Sequence, residues 1–219
     1  MLGFDTSAAH CAAALLSGDR ILAHRQEAMT KGQAERLMPL IAAVLDDGGA
    51  NLGQLDAIGV GTGPGNFTGL RISVSAARGL ALSLGIPAVG VTGFDALTSD
   101  LASDQPALVL IPAPRNAAYV QLRGLPDHAT TPGLVQQADP LPGFPADISP
   151  MLVTPRDAVL PDRDWSGFTT RIDGAALAPA IARIAARRYQ WPDLPRPAPL
   201  YLRAADAAPA RDTGPVLLP

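Results

Sequence analysis

Residues 59–72, Gly-Val-Gly-Thr-Gly-Pro-Gly-Asn-Phe-Thr-Gly-Leu-Arg-Ile, constrain this chain more than any other stretch. Asp56 to Gly61 ends an apolar run of strand type, and from about Phe67 the apolar spacing becomes helical. Between them Gly61, Gly63, Gly65 and Gly69 fall within nine residues, which lets the backbone take conformations that a β-carbon forbids. A strand that runs through such a turn into a helix points unpaired N–H groups outward at the positive end of the helix, a natural seat for a phosphate or other anion. The same glycines also suit a tight strand-to-helix connection with no ligand, and the motif alone leaves both readings open.

Familiar phosphate motifs do not fit. A Walker loop needs a lysine and a hydroxyl at the head of the helix, but the only lysine is Lys31 and the corresponding place holds Phe67-Thr68-Gly69. A dinucleotide fold needs G-x-G-x-x-G and an acid after the next strand, whereas the spacing here is G-x-G-x-G and Val89-Gly90-Val91-Thr92 has no acid. His10, His24 and His128 form no pair at metal-ligand spacing, and no nucleophile elbow or His-Glu-x-x-His segment occurs. Each histidine therefore reads as an ordinary surface or turn residue. The lone cysteine, Cys11, lies among alanines in a strand-like run and reads as a small buried residue. With 17 Lys+Arg against 20 Asp+Glu the net charge is −3, so no global basic field would hold nucleic acid on this chain alone. Met1 to Asp5 has neither a basic nor an apolar leader, and the longest uncharged apolar stretch, Gly79 to Phe94, is interrupted by Gly85 and Pro87. A soluble, cytoplasmic protein with no membrane contact is expected.

The first hundred residues predict a strand meander at Met1 to Asp5, Cys11 to Leu16 and Arg20 to Gln26, with Ser17-Gly18-Asp19 as a hairpin turn. A helix follows from Gln33 to Asp46, then the strand into the glycine-rich turn, a second helix from Thr68 to about Leu84, a strand at Ile86 to Thr92 and a short helix from Phe94 to Leu101. The second helix is apolar nearly all round, with only Arg71 and Arg78 charged, so one face is expected to meet a partner protein. Asp5-Thr6-Ser7, ending the first strand, could hold a hydrated metal or a phosphate, or cap its own turn. Nineteen of the 22 prolines follow residue 100, which marks a lobe boundary there. The expected organisation is an N-terminal lobe (1–100), a smaller proline-rich second lobe (101–198), and a C-terminal strand with a loose tail (199–219). In the second lobe strands are expected at Ala107 to Ile111, Ala117 to Arg123 and Met151 to Thr154, with irregular structure through 125–165. A helix is expected at Ala175 to Tyr189, and a final strand at Pro199 to Arg203.

Several pieces together resemble the TsaB (YeaZ) family, the bacterial partner subunit in the synthesis of threonylcarbamoyladenosine in tRNA. They are Phe4-Asp5-Thr6-Ser7, Ala34-Glu35-Arg36-Leu37-Met38-Pro39-Leu40, the segment from Gly61 to Ile72, Arg78-Gly79-Leu80-Ala81, and Pro199-Leu200-Tyr201-Leu202-Arg203. The G-P-G-x-F-T-G-[LV]-R segment is highly specific. The resemblance covers residues 1–100 strongly and thins beyond, resting there on Ala117-Ala118-Tyr119-Val120 and Tyr201-Leu202-Arg203. It implies a two-lobed α/β fold of the actin-like ATPase (ASKHA, RNase H-like) type, each lobe a mixed sheet with helices.

The resemblance also implies a non-catalytic role: heterodimerising with a TsaD-like catalytic subunit and working with a TsaE-like ATPase, tRNA being met only through the complex. Family members pair through the two N-lobe helices, here with Leu37, Ile41, Leu70, Arg71, Val74, Ala77, Arg78 and Ala81 as the expected interface. A homodimer or heterodimer through the second helix is expected, and whether the isolated chain pairs with itself through the same surface stays open. No catalytic residue, metal or firm cofactor is assigned, and ATP or ADP at the subunit junction stays open. The nucleotide or phosphate candidates are Asp5, Thr6, Ser7, Gly63, Pro64 and Gly65. Gln33 stands where many relatives have a histidine, and Pro112 where they usually have an aspartate, which weakens nucleotide chemistry between the lobes. The competing reading is an actin-like ATPase or glycoprotease-type enzyme, with Asp5 near a metal and the Gly63-Pro64-Gly65 turn near phosphate.

Overall fold

The computed structural model describes residues 1–125, 131–137, 139–141, 148, 150–156, 158–162, 164–165, 167–168, 171–174 and 176–203. Two five-stranded mixed sheets form its frame. The first has the order β3-β2-β1-β4-β5, built from β1 (Leu2–Asp5), β2 (His10–Ser17), β3 (Arg20–Ala28), β4 (Ile58–Gly61) and β5 (Ala88–Val91). The β1, β2 and β3 strands form the antiparallel meander, and β4 and β5 run parallel to β1. Between these strands lie helices α1 (Gln33–Asp47) and α2 (Phe67–Leu84), while α3 (Gly93–Leu97) follows β5. The second sheet has the order β10-β9-β6-β7-β8, from β6 (Ala107–Ala113), β7 (Ala117–Arg123), β8 (Gly133–Val135), β9 (Met151–Thr154) and β10 (Arg171–Asp173). Helix α4 (Leu177–Arg188) follows β10. This is the two-lobed mixed α/β architecture that the resemblance implies.

Side-chain size sorts the two faces of the first sheet. Large residues, Leu2 and Phe4 of β1, Leu15 of β2 and Ile58 and Val60 of β4, point to one side and pack with Leu37, Leu40, Ile41 and Val44 of α1 and Val74 and Ala77 of α2. The alternate positions are Gly3, Ala12, Ala14 and Gly59, and on them lies α4, itself alanine-rich. A β-carbon at Gly3 would lie 2.6 Å from the Ala182 nitrogen, and one at Gly59 would lie 2.8 Å from the Ala185 Cβ. Period-2 alternation thus sets bulk toward α1 and α2 and backbone toward α4.

In sequence α4 belongs to the second segment, yet it packs on β1, β2, β4 and β5 and so covers the first sheet. Periodicity finds a helix; it does not say which sheet receives it. The expected strand at Pro199 to Arg203 is not one. Pro197 and Pro199 lack N–H groups, and Leu200 N donates to Thr62 O at 2.8 Å rather than into a strand ladder. Strands β8 and β10, three residues each, were too short to carry a period, and β8 lies within the stretch expected to be irregular. The expected loose tail after Ala205 lies outside the described residues. One face of the second sheet packs on Phe94 and Leu97 of α3; the other is covered by loop residues including Leu160, Trp165 and Phe168.

Asp95 of α3 ties the parts together. Its Oδ1 accepts from Arg123 at the end of β7 at 2.7 Å and its Oδ2 from Arg188 of α4 at 3.2 Å. Burial alone would raise its carboxyl, but the two guanidinium groups outweigh that and hold it below the usual range.

Two measurements check this packing. Gly3→Ala should cost about 3 kcal/mol in urea unfolding, because α4 must back away along its length; a loss below about 1 kcal/mol would mean that α4 is not seated so closely. Asp95 has a depressed folded pKa, so its contribution is complete above the unfolded carboxylate value of about 3.9 and is lost as pH falls through the folded value. Asp95→Asn should therefore cost about 2 kcal/mol at neutral pH and flatten the acid limb of stability below about pH 4. An unchanged acid limb would count against the double ion pair.

Candidate functional site

The turn after β1 is built from Asp5, Thr6 and Ser7, which are 1%, 0% and 6% exposed. Asp5 Oδ1 accepts from Ser7 N at 3.0 Å and from Ser7 Oγ at 2.9 Å, and His10 Nε2 lies 2.7 Å from the same oxygen. The acid therefore caps its own turn. His10, read from sequence as an ordinary turn histidine, meets it because β2 starts there and turns back beside β1. No spacing rule exposes such a contact across a hairpin.

The glycine-rich turn presses directly on this first turn. A β-carbon at Gly61 would overlap Asp5 Oδ2, one at Gly65 would overlap the Ser7 carbonyl oxygen, and one at Gly69 would overlap the Thr6 carbonyl oxygen. Hydrogen bonds fasten the two together: Thr6 Oγ1 donates to Gly69 O at 2.7 Å and Asn66 N to Ser7 O at 2.6 Å. Asn66 caps α2, its side chain accepting from Gly69 N at 2.9 Å. Gly63 takes φ +90, its peptide to Pro64 is cis, and its carbonyl accepts from Gly93 N at 2.7 Å. So Asp5, Thr6, Ser7, Gly63, Pro64 and Gly65 do come together, and the amides of Asn66, Gly69 and Gly93 that would greet an anion are engaged inside the chain.

The segment 197–203 crosses this turn. Pro197 packs by Gly90, and Tyr201 stacks on Phe67 with ring centroids 4.9 Å apart. Arg71 sits 3.9 Å over the Phe67 ring and its Nε donates to Tyr201 Oη at 3.2 Å. Far apart in sequence, Phe67, Arg71 and Tyr201 meet at the head of α2.

The interface expected from sequence divides in two. Leu37, Ile41, Leu70, Val74, Ala77 and Ala81 are all 7% exposed or less, so they are spent on this chain's own core. Only Arg71 and Arg78 of that set face outward. The other six side chains form an apolar stripe that is buried within this chain. The outward side of α2 carries Arg71, Ser75, Arg78, Gly79 and Leu82, with Leu82 86% exposed; α1 beside it exposes Met38 and Ala42. A β-carbon at Gly79 would meet nothing within 4 Å. Mid-helix glycine costs about 1 kcal/mol against alanine, and no described residue lies close enough to require it.

Cys11 is fully buried, and burial first, then Glu27, pushes its thiol up to about 11, which fits a packing role. Among the described residues no three His, Cys, Asp or Glu side chains gather as a metal set, and no helix is long and apolar enough to cross a membrane.

With this geometry in place, likeness to known proteins is informative. The family model described as TsaD, tRNA N6-adenosine threonylcarbamoyltransferase, matches residues 21–127. An uncharacterised protein of Mycobacterium tuberculosis is 32% identical over 190 residues, 86% of this chain and 83% of that one. The tRNA threonylcarbamoyladenosine biosynthesis protein TsaB of Haemophilus influenzae is 32% identical over 123 residues, 54% of this chain and 51% of that protein. Among solved structures, YeaZ from Pseudomonas aeruginosa superposes with TM-score 0.69 at 23% identity, covering 92% of this chain and 98% of that one. That likeness shows the fold.

A double-mutant cycle tests the mount. Gly61→Ala should cost about 2 to 3 kcal/mol by driving a methyl into Asp5. Combined with Asp5→Ala, the loss should fall at least about 1 kcal/mol short of the sum of the two single losses. Strict additivity would show that the two residues do not press on each other.

Proposed function

This chain belongs to the TsaB/YeaZ family, and on that premise we propose that it serves the synthesis of threonylcarbamoyladenosine in tRNA as a non-catalytic subunit. It pairs with a TsaD-like catalytic subunit through the outer face of α1 and α2, works with a TsaE-like ATPase, and meets tRNA in the cytoplasm as part of that complex. A nucleotide, ATP or ADP, belongs at the subunit junction in this reading. The same face pairs two copies when the chain is alone.

One observation carries the reading: Gly79 and Leu82 stand together, uncovered, on α2. Ser75, Gly79 and Leu82 follow one another at i, i+4 and i+7, and Met38 and Ala42 are exposed on α1. Small residues let a second backbone approach closely, and an almost bare leucine gains about 1.5 to 3 kcal/mol when a partner covers it. Arg71 and Arg78, seven residues apart, flank this surface and suit carboxylates on the partner. The enzymatic alternative asks Asp5 to serve a metal. Its Oδ1 already takes Ser7 N, Ser7 Oγ and His10, which supports the scaffold reading instead.

Gly79→Arg separates pairing from folding, since the position is open and a helix favours arginine over glycine. The variant should melt at or above the wild-type temperature and yet bind the TsaD-like protein of the same organism at least about tenfold more weakly, a loss of about 1.4 kcal/mol. It should also lose activity in a reconstituted tRNA modification assay. Val74→Asp, by contrast, should unfold the chain. Wild-type pairing by Gly79→Arg in size-exclusion chromatography with light scattering would sink this interface.

A further inference from the structure

On the side of the first sheet opposite α1 and α2, the last turn of α4 faces the loop after α3 and the end of β7 across a cavity of about 290 Å³. Among the described residues its wall holds three guanidinium groups, Arg123, Arg187 and Arg188, and one carboxylate, Asp95. Asp95 is fully engaged by Arg123 and Arg188, which fixes both of those side chains. Arg187 is exposed, and its side chain pairs with no described residue. Three cations against one anion among the described lining residues leave two positive charges in excess, in a chain whose net charge is −3. Asp100 and Asp104 belong to the same loop, but their side chains do not line the cavity.

The helix dipole accounts for cations in the last turn of α4, but it does not account for Arg123, which arrives from the second sheet. Thr98, Ser99, Ser103 and Gln105 also line the cavity; the Thr98 and Ser99 hydroxyls donate to Phe94 O and Asp100 Oδ1, so the further donors are the Ser103 hydroxyl and the Gln105 amide. Beside the cavity the Trp191 indole is 56% exposed with the Arg188 guanidinium 5.5 Å from its ring centre. Fixed guanidinium groups, a free one at the rim and an exposed aromatic ring are what a phosphate with an attached base engages.

We propose that this cleft is a phosphate-binding site and that the phosphate belongs to an RNA backbone. The phosphate chemistry follows from the cleft itself; the RNA source rests on the function proposed above. Because α4 and the α1/α2 face lie on opposite sides of one sheet, RNA held here leaves the partner face free.

Fluorescence anisotropy of a labelled, unmodified tRNA transcript with the full-length chain, between about 50 and 200 mM salt, tests the proposal. Arg187→Glu should weaken binding about tenfold and lower the slope of log affinity against log salt by about one, and Arg187→Lys should restore most of it. Lys31→Glu, an exposed position just before α1, should change neither. Calorimetry with inorganic pyrophosphate separates the sources. Pyrophosphate binding that Arg187→Glu abolishes, without tRNA binding, keeps the phosphate site and overturns RNA as its source. Failure of the wild type to bind either probe, or unchanged binding of both by Arg187→Glu, overturns the site. Pairing of Arg187→Glu with the TsaD-like subunit, measured alongside, should match wild type, so failure of the cleft and failure of the partner face read out separately.

Discussion

The seat of α4 on the glycine and alanine face of the first sheet is the contact on which the rest of this molecule depends. A helix backbone lies against β1, β2 and β4 at distances that a single added methyl at Gly3 or Gly59 would violate. Such close packing fills the interior without large side chains, and dispersion between many small atoms takes the place of a few bulky contacts. It also fixes where the larger residues go. With one face closed by α4, Leu2, Phe4, Leu15, Ile58 and Val60 turn to α1 and α2, and those helices spend their apolar stripes inward. What α2 has left to offer a partner is its other side, with Gly79 and Leu82.

The glycine-rich turn obeys the same logic at the opposite edge. Three of its glycines exist because the Asp5-Thr6-Ser7 turn lies on them, and the amides of Asn66, Gly69 and Gly93 are already bonded within the chain. The turn acts as a rigid mount that sets the direction of α2. Tyr201, Phe67 and Arg71 then lock the late segment 197–203 over the head of that helix, so the mount is held from both ends of the sequence.

Much of this was legible in the residues. Period-2 and period-3.6 patterns located β1 to β7, β9 and the helices within a few residues, because long periodic segments carry their own signal. The resemblance carried by Gly61 to Ile72 supplied the two-lobed plan. What stayed hidden depends on three-dimensional neighbours. Leu70, Val74, Ala77 and Ala81 announce an apolar stripe, but a stripe looks the same whether a partner or the chain's own sheet will cover it. His10 on Asp5 and Arg123 and Arg188 on Asp95 are contacts between elements, and nothing in residue type foretells them. The signal that could have marked the outer face was Gly79, a costly residue inside an otherwise regular helix.

The position of α4 in the chain has a consequence for how the protein is made. The five strands it covers are complete at Val91, yet the helix ends at Arg188, about a hundred residues later. At a synthesis rate of about 5 to 20 residues per second, the first sheet waits several seconds on the ribosome with its glycine face uncovered. Closure then brings together segments far apart in sequence, a slow class of contact. During that interval the nascent first lobe is a half-covered sheet, a natural client for chaperones, and the protein commits to its fold only as its last helix emerges.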